Sequence, residues 1–305
     1  MTLKVQSETV KLSVIVASLY SPTALKNCLE SVLANEQDAL EIIVADCCLK
    51  SEFAEWTKKY PAVHFIEFSP QTSLPVLLGA AIARAKGEII AITDSSCVVA
   101  DDWISSISRA HQAEKSSVIG GAVEIRGQQM KSVDWAAYFC EYAQFMRPLR
   151  RGAVDVLAGN NISFKRPILQ KGKEYVEPEF WKSYWCEELK AEGIELFSEP
   201  AMLIYYAKTF RSVPFLVRRF HHGRCFAGMR MKQAAFSKRA FYLVGSLVLP
   251  FIFLYRTIAT VLGKKRFFKE LLLSFPMILL AIVFWSLGET CGYLAGTGRS
   301  CENIY

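Results

Sequence analysis

Acidic residues are scarce where basic ones are most abundant. Residues 206–305 hold 15 Lys and Arg against 3 Asp and Glu, while the residues before them carry a net charge of −5. With 52% hydrophobic residues overall, this split excludes an evenly charged soluble protein and reads as a soluble front with a membrane-facing rear. It also disfavours nucleic acid as the partner of that charge, because the basic residues flank long apolar runs and do not alternate with exposed aromatics. The opening MTLKVQSETVKLSV lacks an apolar stretch of signal-peptide length, so the front domain is expected to stay in the cytosol. Paired cysteine spacing is missing too. There are nine cysteines, an odd number; Cys47 and Cys48 are adjacent, which suits neither an ordinary disulfide nor a metal knuckle, and a reducing compartment is the simplest home for them. No internal repeat or low-complexity segment is present.

What is present is an alternation of strand-like and helix-like segments from Lys11 onward. LSVIVAS at residues 12–18 is a buried strand, and residues 23–35 carry apolar positions at helical spacing. EIIVADC at 41–47 is a second strand, followed by a helix at 52–59, an extended segment at 63–68 and a helix at 74–85. A strand at 88–93 and a helix at 102–114 complete the pattern. Repeated β-α-β units predict a mostly parallel α/β sheet flanked by helices. The run Ile89-Ile90-Ala91-Ile92 stops at Thr93-Asp94-Ser95-Ser96, as a parallel strand does when it delivers an acid to its carboxyl end. Ser18, Asp46 and Asp94 are thereby expected on one edge, where open α/β sheets bind ligands. An acid there can hold a divalent cation against phosphates. The competing role for Asp94, capping the next helix, is already filled by Asp101 and Asp102.

Beyond Val118 the alternation breaks. Residues 120–124 read as a strand at the sheet edge, 134–146 as an aromatic-rich helix and 177–192 as a helix stopped by Gly193. Two apolar segments, 241–255 and 271–287, each contain a proline and lie near or below the roughly 20 residues of a membrane span. Their basic rims, Lys238-Arg239 and Lys264-Lys265-Arg266 with Lys269, favour membrane association over two buried core helices, either as spans or as a re-entrant or interfacial pair. The expected organisation is a catalytic domain over 1–206, a basic linker helix over 207–239 and membrane-associated helices over 240–305.

These pieces together resemble the family-2 glycosyltransferases, inverting enzymes of GT-A fold with nucleotide-sugar donors, and in the tail a membrane-anchored bacterial subgroup. LSVIVASLYS sits where that family has its first strand and nucleotide-contacting turn, which implies Ser18 and Tyr20 as nucleotide-binding residues. EIIVADCC implies Asp46 as the base-reading acid, and AITDSSC implies Asp94 at the donor's phosphates and at a divalent cation, Mn2+ or Mg2+. LAGNNISFKR resembles the acceptor-side segment, with Asn160 and Asn161. RRFHHGRCFAGMR and FWSLGETCGYLAG resemble the subgroup's basic linker and C-terminal signature. Arg218, Arg219 and Arg224 of that linker either contribute charge near the diphosphate or face lipid headgroups.

Three positions depart from the family pattern. Ser95 and Ser96 stand where a second acid follows the first, Leu78-Gly79 replaces an Arg-Asn pair, and Lys182 stands where the catalytic acid is expected. The nearby carboxylates Glu179 and Glu187 are the candidate general bases, Glu179 at i−3 from Lys182. The expected activity is sugar transfer from a nucleotide donor to a lipid-linked or polysaccharide acceptor at the cytoplasmic face of the inner membrane, with membrane lipids as partners. The rival expectation is a GT-A-fold scaffold subunit that has lost the chemistry. A sugar-phosphate nucleotidyltransferase would want a glycine-rich loop after the first strand, which Ser18-Leu-Tyr-Ser-Pro22 lacks.

Overall fold

A computed structural model describes residues 11–19, 21–35, 40–127, 130–176, 179–231, 241–243, 245–246 and 248–304. The chain divides into two compact units: residues up to 124 with 147–207, and residues 125–146 with 208–305. Residues 125–146, expected in the front domain, group with the rear of the chain.

The first unit opens with β1 (Leu12–Ser18), α1 (Pro22–Leu33), β2 (Leu40–Asp46), α2 (Phe53–Lys59), β3 (Val63–Glu67), α3 (Leu74–Arg84) and β4 (Ile89–Asp94). Helix α1 begins at Ser21, whose hydroxyl accepts the Ala24 amide at 3.1 Å, with Pro22 in the first turn where its missing N–H costs nothing. It buries Leu25, Cys28, Leu29 and Val32, the i, i+3, i+4, i+7 stripe of an amphipathic helix. β1, β2, β3 and β4 pair in parallel, as the alternation predicts.

The other half of the sheet is antiparallel. After β5 (Cys97–Val99), α4 (Trp103–Ala113) and β6 (Val118–Ile125) the chain leaves for α5 (Ser132–Tyr142) in the second unit. It returns as β7 (Gly152–Val154), β8 (Ile162–Lys165), α6 (Arg166–Lys171), α7 (Lys173–Val176), α8 (Lys182–Ala191) and β9 (Leu196–Tyr206). The strand order is β3-β2-β1-β4-β8-β6-β9-β5, with β7 on β9. β8 runs antiparallel to both β4 and β6, and β9 to β5 and β7. "Mostly parallel" is thus corrected to a mixed sheet; the α/β class with flanking helices stands. The core includes Ile15, Ile43, Leu77, Phe164, Phe180 and Trp185, all 1% exposed or less. A cavity of 610 Å³ opens where β1, β2 and β4 begin, lined by Lys11, Leu40, Ile89 and His111. It lies at the strand edge opposite Ser18, Asp46 and Asp94.

The second unit packs α9 (Ser212–Arg230) along α11 (Phe268–Ala295), with α10 (Leu249–Gly263) beside it. The approach of α9 to α11 is glycine-dependent: a Cβ on Gly288 would lie 2.1 Å from the Phe220 carbonyl oxygen, and one on Gly223 2.2 Å from that of Trp285. The apolar segment predicted at 241–255 is divided, since α10 starts only at Leu249 with Pro250 in its first turn. The one predicted at 271–287 lies inside the 28-residue α11, which continues through Pro276. Among the described residues, α11 alone is long and apolar enough to cross a membrane, with mean hydropathy 2.3. A disulfide joins Cys225 of α9 to Cys301, while seven cysteines are free. The sequence shows no paired spacing because these partners are 76 residues apart, a separation that no short motif reveals.

Candidate functional site

β1 lies between β2 and β4, and register does the rest. Ser18 is opposite Asp46, and Ala17 is opposite Asp94, so the three polar strand ends form one edge. Asp46 is 1% exposed and its oxygens are engaged within the protein. Oδ1 accepts the Ser18 hydroxyl at 2.6 Å, and Oδ2 accepts the amides of Cys48 at 3.2 Å and Leu49 at 2.9 Å. Asp46 therefore organises the turn after β2. Tyr20 lies outside the described residues.

Asp94 is 8% exposed. Its Oδ1 accepts the Ser96 amide at 2.8 Å, the Ser96 hydroxyl, and the Cys97 thiol at 3.7 Å. Its Oδ2 accepts nothing from the described residues, which leaves one carboxylate oxygen for a ligand. Asp94 does not cap α4, which starts behind Asp102.

Thiols frame both acids, a feature no sequence signal announced. Cys48 donates to Asp46 at 3.1 Å, and the Cys28 thiol donates to the Asp94 carbonyl at 3.5 Å. Burial pushes the Cys48 thiol up to about 12, and burial with the Asp94 charge drives Cys28 and Cys97 well above the usual thiol range. These sulfurs stay protonated and act as weak donors, not nucleophiles.

The two asparagines part company. Asn160 donates to Cys97 Sγ at 3.3 Å, beside Asp94. Asn161 is fully buried, accepting from Trp103 Nε1 at 2.9 Å and donating to the carbonyls of Ala122 and Met202 at 2.9 and 2.7 Å. It ties α4, β6 and β9 together. Lys182, at the first turn of α8, is half-buried and donates to the Gly159 carbonyl at 2.5 Å. Burial lowers its ammonium from the ordinary 10.5 to about 8, opposed by the charge of Asp94. Glu179 and Glu187 are both exposed: one accepts from Trp181 Nε1 at 2.9 Å, the other pairs with Lys190 at 3.1 Å.

In the second unit each of the three arginines has a partner. Arg218 pairs with the Glu141 carboxylate at 2.9 Å, Arg219 stacks 4.3 Å over Trp285, and Arg224 donates to the Gly296 carbonyl at 3.1 Å. Glu141 is held below the usual carboxylate range by Arg218, Arg219, His222 and Lys208 against the cost of burial.

Residues 13–172 match the profile of glycosyl transferase family 2. No curated protein matches the chain. Among solved structures, the mannosyltransferase PcManGT from Pyrobaculum calidifontis, in complex with GDP-Man and Mn2+, superposes with a TM-score of 0.55 at 16% identity over 92% of this chain and 86% of that one. GalNAc-T7, solved with UDP, GalNAc and Mn2+, gives a TM-score of 0.50 at 14% identity over 67% of this chain and 45% of its own. These neighbours share the fold. The family profile covers more than half of the chain, including the edge formed by Ser18, Asp46 and Asp94. The chain is a glycosyltransferase and belongs to glycosyl transferase family 2.

Proposed function

We propose that the protein transfers a sugar from a nucleoside-diphosphate donor to a lipid-linked or polysaccharide acceptor at the cytosolic face of a cell membrane. The single observation that carries the donor half is the adjacency of Ser18, Asp46 and the unengaged Asp94 Oδ2 at the carboxyl ends of parallel strands. The Ser18–Asp46 turn receives the nucleoside, with Asp46 acting through the turn it organises. Asp94 Oδ2 accepts from a hydroxyl of the donor. Asn160 borders the acceptor side, and Asn161 holds the strands beneath it.

Breaking the glycosidic bond places negative charge on the departing diphosphate, while the acceptor hydroxyl must lose its proton to a base. Glu179, at the entrance to α8 and three residues before Lys182, is the proposed base; Glu187, paired with Lys190, is the reserve. A divalent cation is implied by the resemblance, and such ions want several oxygen ligands. Among the described residues no three His, Cys, Asp or Glu side chains converge on such a site. Ser95 and Ser96 follow the one acid, Ser96 takes its Oδ1, and Lys182 sets a positive charge in its field. The residues present do not fit a protein-built cation site, and no step is routed through one.

A thermal-shift panel of nucleoside diphosphates tests the donor half. At a concentration about 100 times Kd, binding adds about 2.7 kcal/mol, or roughly 5–10 °C for a domain of this size. Asp94→Asn is expected to reduce the shift. A flat panel with the wild-type protein would sink the proposal.

The membrane half rests on apolar side chains that α11 leaves exposed, Leu272 at 76% and Leu273 at 62%, and on Phe251 of α10 at 72%. The full-length protein is expected to sediment with membranes after both high-salt and alkaline-carbonate washes. Release by salt alone points to headgroup attraction without insertion, because screening weakens charge but not burial.

A further inference from the structure

The Lys182 ammonium is held on the loop next to Asn160, whose side chain reaches the Asp94 edge through Cys97. Its Nζ donates to the Gly159 carbonyl, which fixes the head against the loop that carries Asn160. A Cβ at position 159 would lie 3.2 Å from Lys182 Cε, so the glycine makes room for the lysine stem. An ammonium has three donors, and among the described residues one is engaged, which leaves two for a ligand. Around it, Asn160 donates to Cys97, and Cys97 to Asp94. These bonds link the Asp94 edge to the loop on which the Lys182 head is fixed.

A leaving diphosphate needs a positive charge held in place before the bond breaks. Asp94 by itself is of the wrong sign, and its neighbours Ser95 and Ser96 add no ligand charge with which to recruit a divalent ion. An ammonium close to a prospective cation site also repels a second cation, and the more so when partly desolvated. We infer that Lys182 supplies, in place of a protein-held divalent cation, the positive charge that meets the donor's diphosphate, making donor binding independent of metal. This rests on the donor reading above. In it Lys182 binds and stabilises charge, and proton transfer is left to a carboxylate.

The test is calorimetric titration of the full-length protein in detergent with UDP and GDP, and with the matching nucleosides, in EDTA and in MnCl2. Wild-type affinity for the preferred diphosphate should agree within ~2-fold between the two buffers. Lys182→Met should weaken that diphosphate by ~10-fold or more, the loss of about 1.4 kcal/mol of charge attraction, while leaving the nucleoside unchanged. Lys182→Arg, which keeps the charge, should bind within ~3-fold of wild type and guards against a folding artefact in the methionine variant. Binding that requires MnCl2 and is indifferent to Lys182→Met overturns the inference but leaves the donor reading intact. Equal weakening of nucleoside and diphosphate assigns Lys182 to the scaffold and also overturns it. If neither diphosphate binds in either buffer, the donor reading itself falls, and the inference with it.

Discussion

Asn161→Ala is expected to cost the first unit about 3–5 kcal/mol, enough to lower its melting temperature by on the order of 10 °C. The substitution removes the acceptor of Trp103 Nε1 and both donors to the carbonyls of Ala122 and Met202. All three partners are fully buried, so water does not replace what is lost. Each stranded group costs about 1–3 kcal/mol, against a total stability of typically 5–15 kcal/mol. Asn161→Asp is no rescue, because it keeps the acceptor for Trp103 but turns a carboxylate towards two carbonyl oxygens. If thermal denaturation finds Asn161→Ala within a degree or two of the parent, the asparagine is not the tie that its bonds describe.

Gly288→Val should unseat α9 from α11. The new side chain would begin 2.1 Å from the Phe220 carbonyl oxygen and 2.9 Å from the Arg224 amide, and backbone on a helix cannot step aside as a flexible side chain would. Parting the helices loosens Arg219 of α9 from Trp285 of α11, over which it stacks. A cost of about 3 kcal/mol or more follows, at the upper end for overpacking. Because α9 is rich in arginine, trypsin reports the change directly. Cleavage after Arg218, Arg219 or Arg224 should be faster in the valine variant. An unchanged digestion pattern would count against glycine-dependent packing. The motif GETCG thus has a mechanical meaning: its two glycines, four apart, keep one helix face flat.

The parallel half of the sheet was legible because its signals are local. Apolar runs of strand length alternate with helical stripes, and each of β2 and β4 ends on an acid. The antiparallel half was legible only at 120–124, within β6; β5 and β7 have three residues each and carry no readable period. For the same reason the excursion through α5 looked like one more helix of the front domain. At the candidate site, Asp46 and Asp94 could be read from their places at strand ends. What could not be read is how their oxygens are used: Cys48 and Cys97 are local to the acids, but Ser18 and Asn160 come from 28 and 63 residues away and converge only through folding. Lys182 was visible as a departure from the family pattern, but its carbonyl partner and its remaining donors were not.

The Cys225–Cys301 bond closes a covalent ring of chain that contains α10 and α11. Such a closure restricts the unfolded chain by about 4 kcal/mol for a loop of this length, on the entropic account. It also alters what backbone cleavage can achieve. A nick anywhere between the two cysteines opens the ring without releasing either fragment, so the apolar α11 stays leashed to α9 until a reductant acts. Where thiols are kept reduced, the same nick would set the C-terminal piece loose.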